Sequence, residues 1–246
     1  SINNTAARGG STFIIGDNAE VHNCTLDNNQ ALYNGTEGSG RGGGIDIAGK
    51  ECKVYDLEVS DNHADREGGA IYIKSSNLKI YEIDSLNNTA ARGGSVFIEG
   101  DNITVSDSTF SNNRAIFNES DPDNSGIGGA IDVLGNDCKF INVTSLNNTA
   151  YRGGSTFVRG NNTLVQDCIL DNNTAILRGG GINVAGDNCK IENVEVSNNK
   201  AGLMGGAIYV NSNGTTLTNI IADNNTAERG GAAFINGTNI IVRGGE

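Results

Sequence analysis

The chain has 246 residues, a formal net charge of −12 at pH 7, 35 glycines, one proline and no tryptophan. This charge disfavours nucleic acid and anionic membranes as partners, because both require a basic face. No apolar run approaches the ~18 residues of a membrane-spanning helix, so no transmembrane segment is expected, and the glycine and asparagine content disfavours long helices.

From its first residue the chain repeats one unit. The segment 1–13 returns with few changes at 85–97 and 145–157, and a Gly-Gly pair marks each unit. The second glycine of the pair, taken as the anchor of the unit, recurs every 25 or 26 residues apart from two longer intervals. The nine anchors are Gly10, Gly43, Gly69, Gly94, Gly129, Gly154, Gly180, Gly206 and Gly231. The chain therefore consists of nine repeats with two insertions.

Each unit alternates apolar and polar residues in short stretches separated by Gly-Asp-Asn turn signals. Ile71 and Ile73 follow one anchor by two and four residues, and Ile80 follows it by eleven. Period-two alternation indicates strands with one buried face, and no helical period lies between them. We therefore predict an all-β fold, a right-handed parallel β-helix of about nine coils with three strands per coil, as a single domain over residues 1–246.

An asparagine stands nineteen residues after every anchor for which the position exists, and an alanine follows it by two residues. Stacked asparagine amides at a tight bend can hydrogen-bond from coil to coil while alanine fills the narrow interior. We therefore predict a structural asparagine ladder. Its members are Asn29, Asn62, Asn88, Asn113, Asn148, Asn173, Asn199 and Asn225.

The two ends of the chain stop in mid-pattern without a polar cap, and residue 1 falls inside a repeat. Repeat rods need capped or covered ends. We expect this chain to be a segment of a longer repeat protein, with neighbouring coils or subunits of the same protein at its ends.

The insertions occupy residues 32–41 and 116–127 and leave the coil at the same point. They should therefore project from one side, three coils or about 14 Å apart. Loops on a rigid scaffold are favoured places for recognition, so Tyr33 and Phe117 are candidate contact residues. Asn34 and Asn118 lie in sequons within these loops and are the better candidates for glycosylation among thirteen such motifs.

Part of the second insertion resembles a calcium-binding loop. Asp121, Asp123 and Ser125 stand at positions one, three and five, Gly126 at six and Asp132 at twelve. Hard oxygen ligands at this spacing suit Ca²⁺, so these four oxygen-bearing side chains are candidate ligands. A solvated acidic turn is the alternative, and no other cofactor is expected.

A row of aromatic residues is predicted three residues after the anchors, on the face opposite the core. Its aromatic members are Phe13, Tyr72, Phe97, Phe157, Tyr209 and Phe234. Arginines at Arg8, Arg92, Arg152 and Arg229 precede the phenylalanines by five residues, which would place a guanidinium over or beside each ring. An open aromatic strip would stack sugars or contact a partner. The alternative is cross-strand stacking that stabilises the sheet.

Catalytic signals are weak. His22 and His63 are the only histidines, and they fall at different points of the coil without an apparent partner. Asp46 and Asp132 lie three coils apart, too far for a carboxylate pair that must flank one glycosidic bond at ~5 to 9.5 Å. The five cysteines stand where other coils carry aliphatic residues, so we expect buried free thiols.

Short motifs resemble those of known surface proteins. Gly-Gly-Ala-Ile at 68–71, 128–131 and 205–208, with Phe-Ser-Asn-Asn at 110–113, resembles the chlamydial polymorphic outer-membrane-protein repeat. The recurrent Asn-Asn-Thr-Ala is similar to adhesin-like surface proteins of methanogenic archaea. The resemblance implies that the β-helix is the passenger or stalk of an exported protein.

The leading interpretation is a non-catalytic, extracellular cell-surface scaffold or adhesin whose aromatic row and loops contact surface glycans or host proteins. One alternative is a carbohydrate-binding or polysaccharide-processing β-helix, because polysaccharide lyases and hydrolases share this fold. A second is a self-assembling filament or sheath subunit.

Overall fold

In the computed structural model, which describes residues 1–246, the chain forms an all-β solenoid without any helix. Three parallel sheets run along its length, and each coil contributes strands to each sheet in turn. Every strand pairs in parallel with the strand of the neighbouring coil. The predicted parallel β-helix of about nine coils is confirmed.

The first sheet lies at the asparagine corner and has very short strands. They are Thr5–Ala6, Gln30–Ala31, His63–Ala64, Thr89–Ala90, Arg114–Ala115, Thr149–Arg152, Thr174–Arg178 and Lys200–Ala201. The second sheet follows each Gly-Gly pair. Its strands are Thr12–Ile14, Ile45–Ile47, Ile71–Ile73, Val96–Ile98, Ile131–Val133, Thr156–Val158, Ile182–Val184, Ile208–Asn211 and Ala233–Asn236.

The third sheet has the longest strands. They are Glu20–Asp27, Lys53–Ser60, Lys79–Leu86, Thr104–Ser111, Lys139–Leu146, Leu164–Gln166 with Ile169–Asp171, Lys190–Ser197, Thr216–Asp223 and Ile241–Gly245. Each eight-residue strand bends at its fourth residue, where the backbone is left-handed, as at Asp56 (φ 55°) and Asp107 (φ 50°). The apolar signal at Ile80 therefore marks the first half of one bent strand.

The core lies inside the coil, between the second and third sheets. Thirty-eight buried apolar residues form one continuous cluster along the solenoid. Ile71, Ile73 and Ile80, which represent the predicted apolar positions, are fully buried in it. Burial of these aliphatic columns stabilises the stack by roughly 25 cal/mol per Å² of apolar surface removed from water.

The Gly-Gly pairs are required by the entrance to the second sheet. Gly68 has a left-handed backbone (φ 65°), which a residue with a Cβ adopts only with strain. A Cβ at the following Gly69 would collide with the carbonyl oxygen of Gly94 in the next coil. The anchors of the repeat are thus places where the coils approach too closely for any side chain.

The asparagine corner forms the predicted ladder. Asn88 donates from Nδ2 to Oδ1 of Asn113 at 3.0 Å, and its backbone N–H donates to the same oxygen at 2.9 Å. Asn113 repeats both bonds with Asn148, and the pattern continues from Asn29 to Asn225. All members except Asn225 are fully buried, so their amides satisfy backbone groups that water does not reach.

The cysteines are free, and four of the five are buried. Burial raises the pKa of Cys138, Cys168 and Cys189 to about 11 in each case. Cys24, in the first coil, is exposed, which differs from the expectation for that residue. The chain contains no helix that could span a bilayer.

Candidate functional site: the loop cleft and the outer column

The two insertions are stabilised by the same pattern of hydrogen bonds. Asn34 and Asn118 each accept a hydrogen bond on Oδ1 from the backbone N–H two residues later, at 3.1 and 3.0 Å. Their own N–H groups donate to the hydroxyls of Ser39 and Ser125, at 3.2 and 2.8 Å. Both serines are buried, so they close each loop from within. The loops are therefore shaped by their own hydrogen bonds as well as by the coil.

Further contacts attach each loop to the solenoid. The Tyr33 N–H donates to Oδ2 of Asp65, one coil further on, at 2.7 Å. In the second loop, the Phe117 ring stacks on Tyr151 with centroids 3.9 Å apart, and Arg152 donates to the Pro122 carbonyl. Phe117, predicted as a contact residue, thus has a ring that anchors its own loop, whereas Tyr33 remains 53% exposed.

The loops enclose a cleft of about 690 Å³ on one side of the rod. We call it the loop cleft. It is lined by Tyr33 from the first loop, by Asn118, Asp121, Asn124 and Ser125 from the second, and by Asp65, Arg66, Glu67, Ala91 and Arg92 from the coils between them. Its volume lies within the ~300 to 1,000 Å³ typical of small-molecule sites. The prediction that both loops project from one side is confirmed.

Charged side chains form the base of the loop cleft. Arg92 is only 7% exposed and donates from Nε to Asp132 at 3.0 Å and from Nη1 to Glu67 at 3.4 Å. Its Nη2 is buried and has no hydrogen-bond partner. Glu67 also pairs with Arg41, at 2.7 Å. Ion pairs therefore hold the base of the cleft rigidly.

Each coil places one residue on the outer face of the second sheet, three residues after its anchor, and we call this row the outer column. Strand register stacks its members in the order Phe13, Asp46, Tyr72, Phe97, Asp132, Phe157, Asn183, Tyr209 and Phe234. Tyr72 and Phe97 stack with centroids 5.5 Å apart, and Tyr209 and Phe234 with centroids 5.6 Å apart.

The expectation of an open aromatic strip is wrong for most of the outer column. Tyr72, Phe97, Phe157 and Tyr209 are buried, and only Phe13, at 39% exposure, meets solvent broadly. The cause is a cover of guanidinium groups, such as Arg92 at 4.4 Å from the Phe97 ring centroid. Buried rings of this kind stabilise the sheet and leave little surface for a partner.

The arginines that cover the rings are only partly those expected. Arg8 lies 4.2 Å from the Phe13 centroid, as the five-residue separation predicts. Phe157, however, is covered by Arg159 at 5.4 Å and not by Arg152. Arg152 instead holds the second loop. The guanidinium over Tyr72 comes from Arg41 in the preceding coil, which the sequence reasoning missed.

Two carboxylates interrupt the rings of the outer column, and their environments differ. Asp132 is fully buried and pairs with Arg92 and Arg159. Asp46 is equally buried but has one partner, Arg8 at 2.8 Å, and its Oδ1 has no hydrogen bond. Burial raises the pKa of Asp46, although the hydrogen bond and the charge of Arg8 act in the opposite direction.

The four predicted calcium ligands do not act as one set. Asp132 is committed to two guanidinium groups, so its inclusion among the ligands is wrong. Ser125 donates its hydroxyl to the Asp121 carbonyl at 2.7 Å, and Asp121 accepts from Asn124 at 2.9 Å. No three His, Cys, Asp or Glu side chains are grouped to hold a metal ion. A calcium ion at Asp121, Asp123 and Ser125 stays a prediction.

The third sheet carries an aromatic row that the sequence reasoning missed. His22, Tyr55 and Tyr81 stack on its outer face with centroids 4.8 and 4.9 Å apart and nearly parallel planes. All three stand twelve residues after their anchors, so their alignment could have been predicted by counting along the repeat. The other histidine, His63, lies 3.0 Å from Asp65 beside the second loop.

Comparison with known proteins gives one match. The family model described as the Chlamydia polymorphic membrane protein repeat matches residues 56–74, 107–133 and 193–211. No curated protein matches the chain, and no solved structure matches it either. Each matched segment begins within a third-sheet strand and contains the whole of the next second-sheet strand. The chain is therefore a parallel β-helix, and these three segments of it are similar to the Chlamydia polymorphic membrane protein repeat.

Proposed function

We propose that the chain is a non-catalytic, surface-exposed scaffold that mediates adhesion through its two loops and the loop cleft between them. The observation that carries the proposal is the convergence of two independently closed loops on one side of a rigid rod. Rigid scaffolds that present loops are well suited to recognition, because binding then costs little ordering of the protein.

The family match supports the surface location, since the repeat is one of a membrane-protein family. The abundant sequons and the acidic composition agree with exposure outside the cell. Neighbouring coils, or further copies of the chain, would extend the rod on which the loops are displayed.

The loop cleft also favours binding over catalysis. A hydrolytic site of the kind found in related β-helices needs carboxylates free to accept and donate protons. Asp46 and Asp132 are buried under arginines on the outer column, and Asp65 accepts the Tyr33 N–H and lies against His63, which fix its position. These acids hold the scaffold together, which supports a role in display.

The experiment replaces each loop by the short connection of a coil that lacks it. Residues 32–40 become Asp-Arg, as between Ala64 and Glu67, and residues 116–126 become a single Ala, as between Ala90 and Arg92. Beads coated with the chain should adhere to cultured animal cells, and the loopless variant should lose most of this adhesion while keeping the β-sheet circular dichroism of the parent. Equal adhesion by both proteins, or none by the parent, would overturn the proposal.

A further inference from the structure

We infer that the loop cleft is a binding site for a neutral sugar residue, an inference that rests on the proposed adhesive function and names its ligand class. The cleft combines a volume of about 690 Å³ with an exposed aromatic ring, amide and hydroxyl groups, and charged groups of both signs. Sites for small polar ligands need this mixture, in which a few placed polar groups orient the ligand against an apolar surface.

The aromatic surface comes from Tyr33. Its backbone is fixed by the hydrogen bond to Asp65, and Arg66 lies 5.5 Å from its ring centroid. The residue is 53% exposed, so ring surface remains available to a ligand in the cleft. The C–H face of a sugar ring packs on such a surface, while its hydroxyls stay free for hydrogen bonds.

Hydrogen-bonding capacity in the loop cleft suits hydroxyl groups. Asp65 and Asp121 are acceptors in the cleft, and each carboxylate has about four lone-pair positions, more than the bonds that it makes here. Arg66, which also lines the cleft, supplies the complementary donors, because a guanidinium carries five N–H groups. A sugar hydroxyl both donates and accepts, so one ligand would serve the carboxylates and the guanidinium together.

Charge decides between a neutral and an ionic ligand. The cleft carries three carboxylates, from Asp65, Glu67 and Asp121, against the guanidinium groups of Arg66 and Arg92. The whole chain has a net charge of −12. An anionic sugar would therefore meet a repulsive field, and a cationic ligand would meet two arginines. A neutral, hydroxyl-rich ligand avoids both costs.

The test is a glycan array that carries neutral hexose and N-acetylhexosamine glycans beside acidic ones, followed by titration calorimetry with the best free oligosaccharide. The chain should bind neutral glycans, and Tyr33→Ala should weaken that binding about tenfold, as expected for the loss of a ring contact. Tyr55→Ala is the matched control, because it removes a tyrosine ring from the third sheet, outside the cleft. This variant should bind the glycan with the affinity of the parent. Asn124→Ala changes the second side of the cleft at an exposed residue and should also weaken binding.

Three results would overturn the assignment: no neutral glycan bound, binding to acidic glycans only, or equal affinities for the parent and Tyr33→Ala. The cell-adhesion assay separates this failure from failure of the adhesive function. If removing the loops abolishes adhesion while the array stays blank, the loops bind another class of partner, and the sugar assignment alone is rejected.

Discussion

The asparagine ladder and the outer column run along the same coils, one at the corner and the other on the second sheet. Every coil that reaches the ladder position supplies the same residue. Each asparagine donates two hydrogen bonds, from Nδ2 and from its backbone N–H, to Oδ1 of the next. The outer column changes from coil to coil, among phenylalanine, tyrosine, aspartate and asparagine.

This difference follows from what each position must satisfy. At the asparagine corner, buried backbone N–H groups need an acceptor in every coil, and the Asn amide supplies one at the right distance. On the outer column, side chains meet each other, the arginines that cover them and, at Tyr72, the carboxylate of Glu99, so several local solutions exist. A position with the same residue in every coil therefore indicates that backbone groups require a hydrogen-bond partner there. A position that varies between coils indicates pairing between particular side chains.

The largest expected effect comes from breaking the ladder at Asn113. Asn113→Ala removes Oδ1, which accepts from both the N–H and the Nδ2 of Asn88. Nδ2 of Asn88 keeps the Val59 carbonyl as a partner, but the buried N–H of Asn88 is left unpaired. The bonds of the Asn113 amide with Asn148 and Ser85 are lost as well. The free energy of unfolding should fall by about 4 kcal/mol, at ~1 to 3 kcal/mol for the unpaired donor and ~1 kcal/mol for each lost bond. Urea unfolding followed by circular dichroism measures the loss.

The neighbouring Asn112 provides the control for the ladder. It is exposed and has a left-handed backbone (φ 56°), which glycine adopts freely, so Asn112→Gly should change stability little. If Asn113→Ala lowers the free energy of unfolding no more than Asn112→Gly does, the ladder does not stabilise the asparagine corner.

The second prediction compares the two carboxylates of the outer column. Asp132→Asn weakens the pairing of Arg92 and Arg159 in a buried setting and should cost about 3 kcal/mol. Asp46→Asn should cost less than about 1 kcal/mol, because burial already raises the pKa of Asp46 and its only partner, Arg8, is partly exposed. Equal losses in urea unfolding would show that the number of arginine partners does not matter.

Much of the fold could be predicted from the sequence because the repeat fixes the register. Once Gly69 and Gly94 are aligned, the positions of Ile73 and Asn88 within their coils follow by counting. The bend at the centre of each third-sheet strand could not be read in the same way. It depends on a left-handed backbone at residues such as Asp56, whose type is also common in ordinary turns.

The candidate site was only partly predictable. The loops and their common side follow from the spacing, but the residues between them, such as Arg66 and Arg92, become neighbours only when the coils stack. The exposure of the outer column failed as a prediction because alternation shows which side chains leave the core, but not what covers them. Arg41, from the coil before Tyr72, provides such a cover.

The third prediction concerns the buried thiols, which occupy aliphatic positions of the repeat. Burial raises the pKa of Cys138 to about 11 from an ordinary value of 9.0. Between these two pH values the unfolded thiol loses its proton while the native thiol keeps it, so the free energy of unfolding falls as pH rises. Cys168 and Cys189 act in the same direction.

Cys138→Val tests this effect, since other coils carry Leu78 and Ile103 at the equivalent position. When the pH is raised from 8 to 11, the free energy of unfolding should fall in both proteins. The fall should be smaller in the variant by on the order of 2 kcal/mol, because one pKa unit corresponds to about 1.4 kcal/mol. Thermal or urea unfolding across this range measures the difference. Parallel pH curves for the two proteins would show that the thiol is not the titrating group.

The smallest expected effect lies on the third sheet, where His22, Tyr55 and Tyr81 form a partly exposed stack. This row resembles the ladder in one respect and the outer column in another. Its register is fixed by backbone pairing, as in the ladder, but only three coils supply a ring, so its residue type varies as in the outer column. Tyr55→Ala removes the central ring and should cost about 1 kcal/mol, within the ~0.5 to 1.5 kcal/mol of an aromatic pair. Ser106→Ala, at the same position in a coil without a ring, should cost less. A double-mutant cycle with Tyr81→Ala isolates the pair, and a coupling energy of zero would mean that the stacked geometry adds nothing beyond the sheet that presents it.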